Sequence, residues 1–554
     1  MVDHFDREPS YSRSLIREML EADPQAFLQR AIGVLRDRPE SRGTQFVVTL
    51  LVANNLLVPL LCDSSLTREQ AVALARGALR VDSMADMTLA KALIGSDHQE
   101  PGDPARLMDI LEAVSDGKRI LPALLRLLRH DDPHIRSKAV LLIGRGSPGV
   151  RWVERRLADQ DARVRANAIE SMWGMNSPDA RRLLQKAMED PNNRVAGNAI
   201  FGLYLLGDTS TIPELMKISE SEMPLWRSTA CWVMGETGDP RFLTVTADRL
   251  GDPDAMVRRR AYWALSRIKA AAAKVAQTDE WRVAARFRQD ERRGRNRHVR
   301  LAVASTDAKE VPPVLPTQFL LCEEGHPVHV YQVVEREVPP SLSVAFVFPR
   351  SPGQIESPWI AGALRALQWR RNSDLWALVS YLAETGGQDA APASADETVF
   401  CATADAIRAS FLHPPAASIC PGLWTAVWNA VKGQERLVRG ENRIIIFSNA
   451  PEWRGAGLEL ISSVMTSVTL VQAVSTVDNP RLEDFCRKTR GVFSRVESEE
   501  EAARAIEQAY LQLLSRYEMS YPPVSAEARN LKIRIHTPSG WGEITLPIPA
   551  ESSG

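Results

Sequence analysis

Net charge is the first thing missing: 68 Lys and Arg stand against 69 Asp and Glu, a formal balance of −1. No global field therefore draws the chain to nucleic acid or an anionic membrane, and such a role would need a local patch. The six cysteines (Cys62, Cys231, Cys322, Cys401, Cys420 and Cys486) never stand at CxxC spacing. They suit reduced, packed thiols in a cytosolic protein. The most apolar stretch, 46–61, is interrupted by Thr49, Asn54, Asn55 and Pro59 and is too short to cross a bilayer. The opening MVDHFDREPSYSRS has no apolar core, so it does not read as a secretory signal. A nucleophile elbow, a P-loop, HExxH and a Gly-rich dinucleotide fingerprint are all absent. These absences point to a cytoplasmic protein with no enzymatic activity, no cofactor and no membrane contact.

What is present begins with length. At 554 residues the chain should hold more than one domain. A period near 31 residues recurs five times in the first half, at Ile135, Val164, Val195, Trp226 and Val257. Four residues after each comes Ala139, Ala168, Ala199, Ala230 or Ala261. Offset five holds Val140, Ile169, Ile200, Cys231 and Tyr262, and offset eight holds Ile143, Met172, Leu203, Met234 and Leu265. These offsets share one helix face, and the small residue at offset four admits a close neighbour. Turns such as Asp131-Asp132-Pro133, Asp190-Pro191 and Asp252-Pro253 precede the helices. Their acids and prolines suit helix starts. A second amphipathic segment precedes each turn, so the unit is helix–turn–helix and must stack to bury its apolar face.

The run Asp252-Pro253, Val257-Arg258, Ala261 resembles the D-P-x-x-x-V-R-x-x-A signature of short bacterial HEAT repeats. On that resemblance residues 119–272 are expected to be HEAT repeats and 1–118 an irregular HEAT-like cap, with a capping box at Thr67-Arg68-Glu69-Gln70. Arg136, Arg165, Arg227 and Arg258 recur one residue after the repeat start, while Ala196 breaks the series. They are either a basic stripe for an acidic partner or an internal ladder paired with the turn aspartates. The register of the acids favours the ladder. Solenoids expose long binding surfaces, so protein partners are the default expectation.

Eight arginines crowd the junction, at positions 282, 286, 288, 292, 293, 295, 297 and 300. Residues 273–298 read as an Arg-rich helix and linker. Arg292, Arg293, Arg295 and Arg297 are candidates for contact with a partner, and nucleic acid is the alternative partner for this segment.

From Val299 short β-rich runs take over, then strands alternate with helices. Strands are expected at 299–305, 319–322, 328–334, 343–348, 375–382, 443–447, 469–474 and 491–494. Helices are expected near 360–371, 424–432, 456–465, 480–489 and 499–515. That alternation predicts a mainly parallel sheet covered on both faces.

The order of V-R-L-A-V-A-S-T-D-A-K (299–309), F-L-L-C-E-E-G (319–325) and P-P-S-L-S-V-A-F-V-F (339–348) resembles the entry to bacterial von Willebrand factor A-related domains. The tail R-Y-E-M-S-Y-P-P (516–523) and L-K-I-R-I-H (531–536) is similar as well. The resemblance implies a multidomain chain: an all-α HEAT-like solenoid, then a Rossmann-like α/β von Willebrand A domain over 299–549 with flanking β-strands. The family's D-x-S-x-S cation motif falls on Pro349, Arg350, Ser351, Pro352 and Gly353, its loop threonine on Thr425, and its later aspartate on Asn449. Both carboxylates are gone, and two hydroxyls with an amide do not offset cation dehydration. The expectation is an adaptor with a vestigial, metal-free site: either Arg350 takes an acidic group there, with Trp453 a further contact, or the domain meets its partner elsewhere.

Cys322, His326 and His329 flank a predicted turn and are not expected to bind metal. His130 and His134 read as solvent-exposed, and Trp424 and Trp428 read as core.

Overall fold

The computed structural model describes residues 5, 7–37, 41–81, 85–94, 103–146, 150–287, 296–305, 311–350, 358–382, 398–413, 419–420, 423–437, 441–448, 470–476, 478, 480–489, 491–525 and 527–548. Two compact units divide the chain, Met1–Ala271 and Ala272–Gly554. Among the described residues no helix is long and apolar enough to cross a membrane.

Every described element of the first unit is a helix. Its regular part pairs the short helices Leu121–Leu127, Val150–Arg156, Pro178–Ala187, Thr211–Ser219 and Leu243–Asp248 with longer second helices. The second helices are Pro133–Gly146, Ala162–Glu170, Asn193–Leu205, Pro224–Thr237 and Ala255–Val275. Acidic and amide side chains open them: Asp161 accepts from the Arg163 amide, Asn192 from Arg194 and Val195, and Asp254 from Met256 and Val257. The capping box upstream is reciprocal, with the Gln70 amide donating to Thr67 Oγ1 and the Thr67 amide to Gln70 Oε1. The alanines at offset four are all buried, and Gly235 shows how tightly second helices approach. A Cβ there would lie 2.8 Å from Ala264 Cα.

The arginine series is an internal ladder. Arg165 pairs with Asp190 (2.9 Å), Arg227 with Asp252 (2.7 Å) and Arg136 with Asp159 (3.2 Å), each reaching the turn of the following repeat. A second arm donates to two carbonyls of the arginine's own turn, as Arg227 does to Ser221 and Glu222. Where Ala196 removes the arginine, the turn 25 residues on carries Ser221 in place of the aspartate. Both partners of that rung are absent together, which avoids leaving a charge buried without its counterion. His130 and His134 are half-buried rather than exposed: His130 Nδ1 accepts from the Asp132 amide, and His134 Nε2 faces Asp109 at 3.2 Å.

The second unit holds fourteen described strands: β1 (Asp279–Phe287), β2 (Arg297–Ser305), β3 (Phe319–Glu323), β4 (His326–Val328), β5 (Gln332–Glu335), β6 (Leu342–Arg350), β7 (Leu375–Leu382), β8 (Ile419–Cys420), β9 (Glu441–Ser448), β10 (Leu470–Ser475), β11 (Val492–Arg495), β12 (Tyr517–Tyr521), β13 (Asn530–His536) and β14 (Gly540–Pro547). Six of them form an all-parallel sheet in the order β11-β10-β9-β6-β7-β8. Numbered along the chain this is 3-2-1-4-5-6, the doubly wound order. The helices Pro358–Leu367 and Glu499–Leu514 pack on one face around Phe346, Trp376 and Tyr510. Leu423–Glu435 and Pro480–Lys488 pack on the other around Val347, Trp424 and Phe485. Trp424 is core, edge-on to Phe485 at 5.1 Å.

The other eight strands form one sheet, β4-β3-β13-β14-β1-β2-β12-β5. Segments before and after the parallel sheet therefore interleave, rather than flanking it separately.

Two expectations need correcting here. Residues 273–298 are not an Arg-rich helix and linker: the solenoid helix runs to Val275, and 279–287 are β1, paired antiparallel with β2. Arg282 and Arg286, two of the arginines that read as a charge cluster, alternate with the buried Trp281 and Val283 and stand half-buried on the other pleat of a strand. Gly540 and Gly542 pack on Trp281, and a Cβ at Gly540 would fall inside the indole. The expected single strand at 328–334 is also two, because β4 pairs with β3 and β5 with β12. The expected helix at 456–465 lies outside the described residues.

Candidate interaction surface

The residues anticipated from the resemblance are only partly brought together. Pro349 is buried in β6 opposite Tyr381, and the backbone of Arg350 ends the strand opposite Leu382. Thr425 is 5 % exposed near the start of the helix Leu423–Glu435. Ser448, which closes β9, is fully buried. β6 lies between β7 and β9, so the reversal of strand order falls beside the carboxyl end of β6. Ser351, Gly353, Asn449 and Trp453 lie outside the described residues, as do Arg292, Arg293 and Arg295. Arg297 does not project towards a partner: it pairs with the buried Glu323, which also accepts from the Val524 amide at 2.5 Å. Arg282 donates to the Gln368 carbonyl (2.9 Å), and Arg300 lies 3.5 Å from Glu518. Among the described residues no group of three or more His, Cys, Asp or Glu is placed to hold a metal ion.

The more informative surface is on the solenoid. Offsets 0, 4, 5 and 8 are buried apart from the half-buried Trp226 and Leu265 and the exposed Tyr262, and offset 1 carries the ladder. Offsets −1, 3, 6 and 10 lie on the opposite side of the helix, where Asn167, Asn198 and Phe201 are themselves buried. In the first copy these are His134, Lys138, Leu141 and Arg145. Lys138 pairs with Glu112 and lies 3.7 Å from Asp109, while Arg145 reaches Glu112 at 3.3 Å. In the second copy Asn167 bridges to Arg194 (3.3 Å), and Glu170 is pushed above the usual carboxylate range by burial, against the pull of Arg194 and Arg145. This end of the face is wired.

Offset six then turns aromatic: Phe201, Trp232 and Trp263 stand 31 residues apart. Trp173 meets Phe201 edge-on at 4.9 Å and donates its indole N–H to the Asn198 carbonyl (2.9 Å), and Phe201 meets Trp232 at 6.1 Å. The column then opens. Between Trp232 and Trp263 lies a slot of about 210 Å³, lined also by Cys231, Gly235, Glu236, Arg260, Ala264 and Arg267. Glu236 and Arg267 form a bidentate pair there (2.6 and 2.7 Å). Burial pushes the Cys231 thiol up to about 11, so it stays protonated and is no nucleophile. Trp263 is 57 % exposed and Tyr262 61 %, although Tyr262 occupies the offset that is buried in the other four copies. The expectation that this position is core holds in every copy but the last. The 31-residue spacing of the aromatics was available in the sequence, one register beyond the offsets used to define the repeat.

Residues 150–224 and 212–278 match the family model of HEAT repeats, so the first unit contains HEAT repeats. No curated protein matches the chain. Among solved structures it is similar to YibA of Escherichia coli, at 15% identity over 46% of this chain and 96% of that one, with a TM-score of 0.26. It is similar also to human deoxyhypusine hydroxylase (16%, 45% and 99%, TM-score 0.22). A third is the CpcE–CpcF complex of phycocyanin lyase from Nostoc sp. PCC7120 (17%, 39% and 94%, TM-score 0.25). Likeness at this level carries nothing about activity.

Proposed function

We propose that the chain is a non-catalytic scaffold that joins protein partners through two surfaces: the outward face of its HEAT repeats, and the carboxyl edge of the parallel sheet in a von Willebrand A-like domain that works without a metal. The observation that carries this reading is the division of labour on the second helices. Ladder arginines are consumed by internal carboxylates, while the aromatic column ends in an open slot and exposed cations. Solenoids of this kind bind through such faces. The von Willebrand A-like reading of the second domain is supported by the 3-2-1-4-5-6 order, and its metal-free character by Pro349, which occupies the position of the first cation-binding aspartate of the family it resembles.

The test is affinity purification with the tagged full chain, beside Trp263→Ala and Arg350→Ala. A partner lost with Trp263→Ala assigns binding to the solenoid, and one lost with Arg350→Ala assigns it to the sheet edge. Retention of no specific protein by the parent chain sinks the scaffold. Calorimetry addresses the metal separately: tight magnesium or manganese uptake that disappears in Thr425→Ala overturns the metal-free domain.

A further inference from the structure

Resting on the scaffold reading, we infer that the slot between Trp232 and Trp263 is a docking site for an acidic segment of a partner protein, which inserts one aromatic side chain between the indoles and places a carboxylate on Arg260. Charge comes first. The helix Ala255–Val275 carries Arg258, Arg259, Arg260, Arg267, Lys269 and Lys274 and no Asp or Glu. Arg258 is held by the carbonyls of Asp252 and Pro253, and Arg267 by Glu236. Arg259 and Arg260 are exposed and make no ion pair or hydrogen bond among the described residues. Arg260 lines the slot, whose walls mix indoles with the Glu236–Arg267 pair, and Arg259 stands next to it in the chain. Such guanidiniums select carboxylates, which Arg can take two-pronged.

Shape comes second. A volume of about 210 Å³ exceeds the roughly 150 Å³ of a cavity that accepts benzene. Gly235 and Ala264 sit so close that they leave no side chain to fill the space. The indoles that line the slot suit an aromatic ring, because ring pairs gain beyond area burial. The flanking apolar residues Leu225 (51 % exposed) and Met256 (43 %) stand at offset −1 of the same two helices, on the slot's side. They extend the contact along an elongated segment.

Single-stranded nucleic acid also stacks on aromatics beside arginine. It fits less well, because a phosphate track extends along the face past Glu170, Glu112 and Asp109, whereas a short acidic segment need reach only Arg259 and Arg260 at one end, where Glu236 is neutralised by Arg267.

The probe is a fluorescein-labelled decapeptide with one central Phe among Asp and Glu, titrated against the full chain at low salt. Its Phe→Ala and all-amide (Asn/Gln) versions and a labelled dT20 oligonucleotide run beside it. Saturable binding is expected, weakened about tenfold or more by Phe→Ala in the peptide or by Trp263→Ala or Arg260→Ala in the protein, and unchanged by Arg155→Ala on a distant helix. Both slot variants change exposed side chains, and an unchanged melting curve certifies their fold. No binding of the peptide, equal binding of its Ala or amide version, persistence in both slot variants, or tighter binding of dT20 overturns the proposal. Peptide binding that survives both variants sinks this slot alone and leaves the scaffold reading to the purification experiment.

Discussion

The first two copies of the repeat and the last two are built on one framework yet face solvent in opposite ways. Copy one covers its outward face with a charge network of Glu112, Lys138, Arg145, His134 and Asp109, and copy two with Asn167, bonded to Arg194, and the half-buried Glu170. Copies four and five expose Leu225, Met256, Arg260 and Trp263 and leave Trp232 half-buried. Offsets 0 and 4 must stay apolar or small for the stack to close, whereas the outward offsets carry no such duty and are free to diverge. A wired face gives up its ligand capacity to its own ions. A face with an open slot and unpaired cations keeps that capacity.

The largest expected effect breaks the aromatic column at its packed end, at the half-buried Trp173. Trp173→Ala removes the edge contact with Phe201 and the bond to the Asn198 carbonyl, and leaves a void that Gly202 cannot fill. A loss of about 3 kcal/mol is expected by chemical denaturation. If the loss is under about 1 kcal/mol, Trp173 is not the inner end of this column.

Next come the rungs that both halves share. Arg227→Ala leaves the buried Asp252 with only its longer contact to Arg249 (3.8 Å), and the melting midpoint should fall by several degrees. Arg258→Ala breaks only carbonyl contacts and should cost less. The Arg227 guanidinium, first among the causes, holds the Asp252 carboxyl below its ordinary range. That stability is present above the unfolded carboxylate range and is lost as pH falls through the lowered folded value. The gap in midpoint between parent and Arg227→Ala should therefore narrow with acidification, and a gap that widens refutes the pairing.

A smaller effect comes from restoring the absent rung. Ala196→Arg and Ser221→Asp together should be more stable than the sum of the single changes, by about 1 kcal/mol in a double-mutant cycle. Zero coupling means that rung geometry is not transferable between copies.

Much of this framework was legible in the sequence. Offsets 0, 4, 5 and 8 sit on a period that only stacked helices explain, and strand β7 has the bounds that its apolar run predicts. The ladder was legible because the aspartates recur in register with the arginines. Strand β1 was not, because its period-two pattern is carried by Trp281, Val283 and alanine, small or single signals beside the arginines. Its partners β14 and β2 are set by pairing, and β14 lies some 260 residues away. No local pattern encodes that closure. The slot was half legible: the spacing of Phe201, Trp232 and Trp263 is in the sequence, but the step from packed to open depends on the close approach of Gly235 and Ala264.

The smallest expected effect is the one that most sharpens the comparison. Trp263→Ala deletes the largest side chain of the fifth copy, at the offset where Phe201 is 8 % exposed and Trp263 57 %. Were the column uniform, truncation there would cost what it costs at Trp173. The indole of Trp263 has no ring contact with Trp232 among the described residues, and its far side is open to water. Its removal should shift stability by no more than about 0.5 kcal/mol, as for other exposed positions away from caps and buried pairs. A loss that small would leave the indole free for the proposed external contact. A destabilisation near that of Trp173→Ala would make the fifth copy part of the core and close the slot as a binding surface.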